Sequence, residues 1–198
     1  MMILRFINTS KRIFINIFII LIGSFLSCET YSEETHSFNL PSQAGQILWR
    51  CNQGLCNTYL KLKNNDKVVI AENSSPPSVA SLDENLISIF FSCGSPCNYT
   101  KYYNIKKGIS RPFEFAVAVD TKRKIVILAK KNNLVAYNMF TDIKKPLFSI
   151  KRNWAPTVAL YSDIIEAKFI KGALYIKYLE GDRYFEKEEV IHNLHGKV

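Results

Sequence analysis

Beyond residue 46 the chain is a succession of short runs, some alternating apolar with polar positions and others apolar throughout, recurring about every eight to twelve residues. The first are Ile47 to Arg50, Asn57 to Leu62, Lys67 to Ala71 and Leu86 to Ser92. Asn98 to Asn104, Phe113 to Val119, Lys124 to Ala129, Leu134 to Phe140 and Leu147 to Ile150 follow, and Val158 to Tyr161, Ile164 to Ile170, Ala173 to Leu179 and Tyr184 to Ile191 complete the series. A two-residue period and an enrichment in Val, Ile, Phe, Tyr and Thr predict strands. Turn signals separate them: Asn64-Asn65-Asp66, Asp120-Thr121, Asn132-Asn133, Lys171-Gly172 and Gly181-Asp182. No 3.6-residue amphipathic pattern is sustained here, so an all-β domain of about 13 strands is expected over residues 47–198.

Two hairpins share a layout. In each, an apolar run ends at a Cys, a short turn follows, and Cys-Asn opens the return strand: Cys51 with Cys56 around Asn-Gln-Gly-Leu, and Cys93 with Cys97 around Gly-Ser-Pro. Opposite residues on antiparallel strands lie about 4.5–5.5 Å apart at Cα, within disulfide range. The pairs Cys51–Cys56 and Cys93–Cys97 are therefore geometrically cheap, although four cysteines admit two other connectivities. Hairpin tips near Gly54, Ser95, Asp142 and Gly181 suggest a period of about 40–45 residues with four strands per unit. The unit Phe115 to Ile150 resembles, in its order of strands and turns, a blade of the quinoprotein or WD-type families. The expected architecture is a propeller-like array of about four short antiparallel blades, with a β-sandwich as the alternative.

The first 27 residues differ from the rest. Arg5, Lys11 and Arg12 precede the apolar run Ile13 to Leu26, the arrangement of a secretory signal peptide. The run ends at Ser24-Phe25-Leu26-Ser27-Cys28, which resembles the lipobox of bacterial lipoproteins. That resemblance implies a lipid on Cys28 and a protein held at the periplasmic face of a membrane in the cell envelope, with a soluble periplasmic or secreted form as the alternative. It also accounts for the odd cysteine of the five. An oxidising compartment argues against a four-thiol zinc site. Residues 28–46 are polar and lack periodicity, so they are expected to be a flexible tether.

Charge is unevenly spread. Without the leader, 23 basic residues face 17 acidic ones, and Lys101 to Arg152 holds 13 of the basic against 3 of the acidic. Its clusters sit at turns, notably Lys122-Arg123-Lys124. Such clusters are solvated turn residues or a face for an acidic partner; nucleic acid is not expected outside the cytoplasm. Catalytic candidates are few: His192 and His195 form a His-x-x-His pair with Glu188 or Glu189 nearby, and no serine elbow, phosphate loop or metalloprotease helix occurs. No cofactor and no catalytic residue are expected. The reading is of a tethered binding protein, similar in plan to immunity-type lipoproteins, that neutralises an envelope-acting toxin or hydrolase with an acidic surface. Trp49, Phe91, Tyr99 and Tyr103 are the expected anchors, with Lys122, Arg123 and Lys124 steering association. A hydrolase using the C-terminal histidines and a structural assembly lipoprotein are the alternatives.

Overall fold

The computed structural model describes residues 33–94, 97–149, 160–180, 185–192 and 194. The leader, Cys28, Ser95, Pro96, Gly181 and His195 lie outside them. The described chain is all-β, and its strands form four antiparallel sheets that follow one another in chain order. The first contains β1 (Glu34–Asn39), β2 (Gly45–Asn52), β3 (Leu55–Leu62) and β4 (Lys67–Ser74). The second contains β5 (Ser78–Asp83), β6 (Leu86–Ser92), β7 (Asn98–Asn104) and β8 (Gly108–Ile109), with the short β9 (Phe113–Glu114) also paired to β7. The third contains β10 (Ala116–Asp120), β11 (Ile125–Lys130), β12 (Asn133–Asn138) and β13 (Lys144–Ser149). The fourth contains β14 (Ile164–Ile170), β15 (Ala173–Glu180) and β16 (Phe185–Ile191). Each is an up-and-down meander and none closes on itself.

Tight turns carry the meanders. Gln53-Gly54 and Lys171-Gly172 both take positive φ, at 51° and 78° and at 48° and 83°, the conformation a two-residue hairpin loop needs to match strand twist. The sheets stack face to face through three buried clusters. Ile47, Leu60 and Ile70 of the first sheet meet Ile87, Ile89, Phe91 and Tyr103 of the second. Leu86, Tyr102 and Phe113 on the opposite face of the second sheet meet Val126, Leu128 and Tyr137 of the third. Ile125, Ile127 and Ala136 then meet Leu174, Ile176 and Tyr178 of the fourth. An inner sheet is thus covered on both faces, which is why β11 is apolar along almost its whole length while β3 alternates.

Several expectations need correction. Part of the stretch 28–46 expected to be a flexible tether is a strand: Glu34 to Asn39 pairs along its full length with Cys51 to Gln46 at the edge of the first sheet. It is polar because both of its faces are largely solvated, so it carries no apolar run. Ser78 to Asp83, to which the sequence pattern assigned no strand, is β5. The expected single strand Phe113 to Val119 is two: Phe115, at φ 54°, breaks it and passes the chain from the second sheet to the third. Leu160 and Tyr161, expected in a strand, belong to a short 3-10 helix ending at Asp163. Asp142 lies in the turn between the third and fourth strands of its sheet, whereas Gly54 lies between second and third; the matching turn in the third sheet is Lys131-Asn132.

Candidate functional site

Because every sheet is a meander, its turns alternate between two ends. Lys124, in the turn opening β11, bonds Asp83, beside the turn opening β6, at 2.7 Å, so these first turns share an end. The second turns of the second and third sheets therefore share the other, and the second turn of the first sheet lies beside that of the second across one groove. There lie the tips at Gln53-Gly54 and Gly94 and the turn residue Lys131, while Lys130 beside it turns its ammonium back to within 5.2 Å of the Tyr137 ring. Cys51 and Cys56 are register partners and are bridged, with Cα atoms 4.0 Å apart. Cys93 and Cys97 are bridged at 5.0 Å, and the Cys93 amide donates to the Cys97 carbonyl at 3.1 Å.

Between the two bridged tips lies a groove of about 500 Å³. Leu55 from the first tip, 54% exposed, and Tyr99 from the second sheet supply its apolar surface; Glu72 is the one carboxylate among the described residues that line it. Asn73, Ser74 and Ser75 form its floor and are tied to both hairpins. The Asn73 amide, at φ 48°, donates to Asn57 Oδ1 at 3.0 Å, and Ser74 Oγ donates to the Cys56 carbonyl at 3.2 Å. Ser75 Oγ accepts from the Ser92 amide at 3.1 Å and donates to the Ser92 carbonyl. A floor bonded to both walls loses little conformational freedom when a ligand arrives, which favours binding. Burial raises the Tyr99 hydroxyl above its ordinary pKa, so it is a neutral donor at physiological pH.

The four aromatic candidates separate. Tyr99 lines the groove, stacked on Phe91 at 4.9 Å between centroids. Phe91 itself is fully buried and Tyr103 nearly so, both in the core between the first two sheets, because odd positions of β6 and β7 face that way; neither ring is open to a partner. Trp49 is half-buried against the same core and stacks on His36 at 5.6 Å.

The Lys122-Arg123-Lys124 cluster separates too. Only Lys122 is exposed. Arg123 donates from Nε to Asp120 Oδ2 at 2.5 Å and from Nη2 to the Gly172 carbonyl at 2.8 Å, with its guanidinium 5.5 Å from the Phe169 ring, so it fastens the third sheet to the fourth. Lys124 fastens the third sheet to the second through Asp83. Burial alone raises the Asp83 carboxyl, but the Lys124 ammonium and the amides of Asn85 and Leu86 outweigh it and hold the pKa below its ordinary value. Two of the three expected steering residues are therefore clasps within the protein.

His192 is exposed at the end of β16, and its expected partner His195 lies outside the described residues. Among the described residues no three His, Cys, Asp or Glu side chains gather where they could hold a metal, and no helix is long and apolar enough to cross a membrane. Leu55 and Glu72 were not singled out from the sequence, and Asn73-Ser74-Ser75 stood out there only as an N-glycosylation acceptor pattern. The one available signal was an apolar Leu inside an otherwise polar cystine loop. Comparison with models of known protein families and with curated proteins gives no match.

Proposed function

We propose that this chain is an exported binding protein, tethered through Cys28 in the cell envelope, that captures a protein partner in the groove between its two cystine hairpins and neutralises it. An envelope-acting toxin or hydrolase is the partner class that suits this plan. The observation that carries the reading is the convergence of two disulfide-closed tips, from different sheets, on one groove with an exposed Leu and a half-buried Tyr. Leu55 and Tyr99 take the role of anchors, in place of the buried Phe91 and Tyr103. Lys131, exposed at the same end of the third sheet, and Lys122 at the far end give an acidic partner a favourable field. The two disulfides accord with an oxidising compartment.

Photocrosslinking tests this. A photoreactive residue at position 55 of the full chain in its own envelope is expected to capture one discrete protein, and the same residue at Glu189, exposed on the fourth sheet, is not. Capture from position 55 should disappear with Tyr99→Ala. Equal capture from both positions, or only lipid adducts at 55, would place the site elsewhere.

A further inference from the structure

The basic third of the chain contains a second feature, at the end of the molecule away from the groove. Arg111 lies between β8 and β9, with its guanidinium carbon 5.1 Å from the Phe113 centroid and 4.8 Å from that of Tyr137. Both rings are buried, so the surfaces against which the guanidinium rests are fixed by the core between the second and third sheets. Arg111 lines a pocket of about 170 Å³ shared with Lys107, Met139, Phe140, Thr141 and Asp142. Lys107 stands 5.7 Å from the Phe140 centroid and has no carboxylate partner among the described residues. Ser110 Oγ accepts from the Tyr102 amide at 2.8 Å and donates to the Arg111 carbonyl at 2.7 Å; its hydrogen bonds are spent on holding the Arg111 backbone. Arg111 and Lys107 are thus the charged donors that line the pocket.

Asp142 approaches from the rim. Its Oδ1 is 3.8 Å from Arg111 Nη1, beyond hydrogen-bond distance, and its side chain is fully exposed. A carboxylate therefore reaches the pocket mouth but is held only by screened attraction. The volume is far below the roughly 300 Å³ at which small-molecule sites begin, so it fits one functional group. A stacked, planar fork of N–H donors matches a carboxylate through two parallel hydrogen bonds.

We propose that Arg111 and Lys107 form a receptor for a single carboxylate, the side chain of an Asp or Glu presented by an acidic polypeptide, and that Asp142 occupies its mouth until that ligand displaces it. This names a chemistry for part of the partner and rests on the reading that the partner is a protein. Its test needs no partner, so the two can fail separately.

The full mature chain is titrated, at low and at physiological salt, with a capped peptide of alternating Glu and Gly, with its Gln counterpart, and with inorganic phosphate, following the amide resonances of Lys107 and Thr141. The Glu peptide is expected to shift both resonances, more weakly at higher salt, and the Gln peptide to shift neither. Arg111→Gln should weaken the Glu peptide about tenfold or more, as loss of a charge-assisted pair implies. Arg111→Lys should weaken it by an intermediate factor, since the charge stays and the fork goes. Asp142→Asn should tighten it about two- to fivefold by removing the competitor. A purely structural role for Arg111 would not produce opposite effects from the two sides of one ion pair. Saturation by phosphate without any response to the Glu peptide, an unchanged affinity in Arg111→Gln, or weaker binding in Asp142→Asn would each overturn the proposal. Folding of Arg111→Gln is checked by the unchanged resonances of the fourth sheet.

Discussion

Arg123 and Lys122 are adjacent basic residues in one turn, and the structure predicts that removing them has very different consequences. Arg123→Ala deletes the bond to Asp120 and the bond to the Gly172 carbonyl, and uncovers the Phe169 ring. Hydrogen bonds to charged groups contribute ~1.5–3 kcal/mol each. The Arg123 side chain is 24% exposed and that of Asp120 9%, so most of this is retained after screening. Asp120 keeps a bond from the Arg123 amide at 3.0 Å but loses its counter-charge, an added cost. About 3 kcal/mol is the resulting loss. With a urea m-value of ~2 kcal/mol/M, the midpoint should fall by ~1.5 M. Lys122→Ala, at an exposed position without such partners, should stay within ~0.5 kcal/mol. Lys124→Ala should fall between, at about 1 kcal/mol, since its pair with Asp83 is more solvated. Equilibrium urea unfolding with the disulfides intact measures all three. Equal, small shifts for the three variants would refute the assignment of Arg123 as the clasp between the third and fourth sheets.

Three further outcomes follow from the same geometry. Gly45 opens β2 at φ 152°, where a Cβ would collide with the Lys61 carbonyl oxygen and sit 3.1 Å from Leu62 Cα; Gly45→Ala should cost roughly 1–3 kcal/mol in the same unfolding assay. Lys101 reaches from the second sheet to the Ile70 carbonyl of the first at 2.5 Å, and burial lowers its pKa below 10.5. A lysine whose folded pKa is lowered carries a penalty that is complete below that value and is released as pH rises through it toward 10.5. The stability of wild type relative to Lys101→Met should therefore improve in that alkaline window, and a difference independent of pH would contradict the burial. Replacing Cys93 and Cys97 together by Ser should cost about 2 kcal/mol on the chain-entropy model. It should also reduce capture by the photoreactive residue at 55 more than that modest destabilisation alone would, since Cys93 walls the groove.

The strands that were legible in the sequence are those with at least one face against a core. β15 alternates with a two-residue period, and β11 is a continuous apolar run bounded by turn signals, so both are picked out directly. β1 was illegible because it is held by pairing with β2 while its side chains meet solvent, and β5 because Ser and Ala dominate it. Phe115 gave no warning of its left-handed backbone, since an aromatic residue inside an apolar run reads as continuous strand. The disulfides were legible through register, because residues flanking a tight turn must oppose one another. The groove was not. It depends on which residues of two hairpins face each other across sheets, and period alone made Phe91 and Tyr99 equivalent although one is buried and the other lines the cavity. Charge misled in the same way: three consecutive basic residues looked alike, and only the placement of Asp83, Asp120 and Gly172 distinguishes them.

A tethered protein with a pinned groove requires a mature chain that begins at Cys28 in an oxidising compartment, with each cystine closing its own hairpin. Intact mass and non-reducing peptide mapping of the protein taken from its native cell envelope measure this directly. The expected result is an N-terminal peptide carrying a lipid on Cys28, and bridges joining Cys51 to Cys56 and Cys93 to Cys97. A chain that retains Met1 to Ser27 with four reduced thiols would contradict it, because the walls of the groove would then be unpinned and no acceptor compartment would exist for the tether.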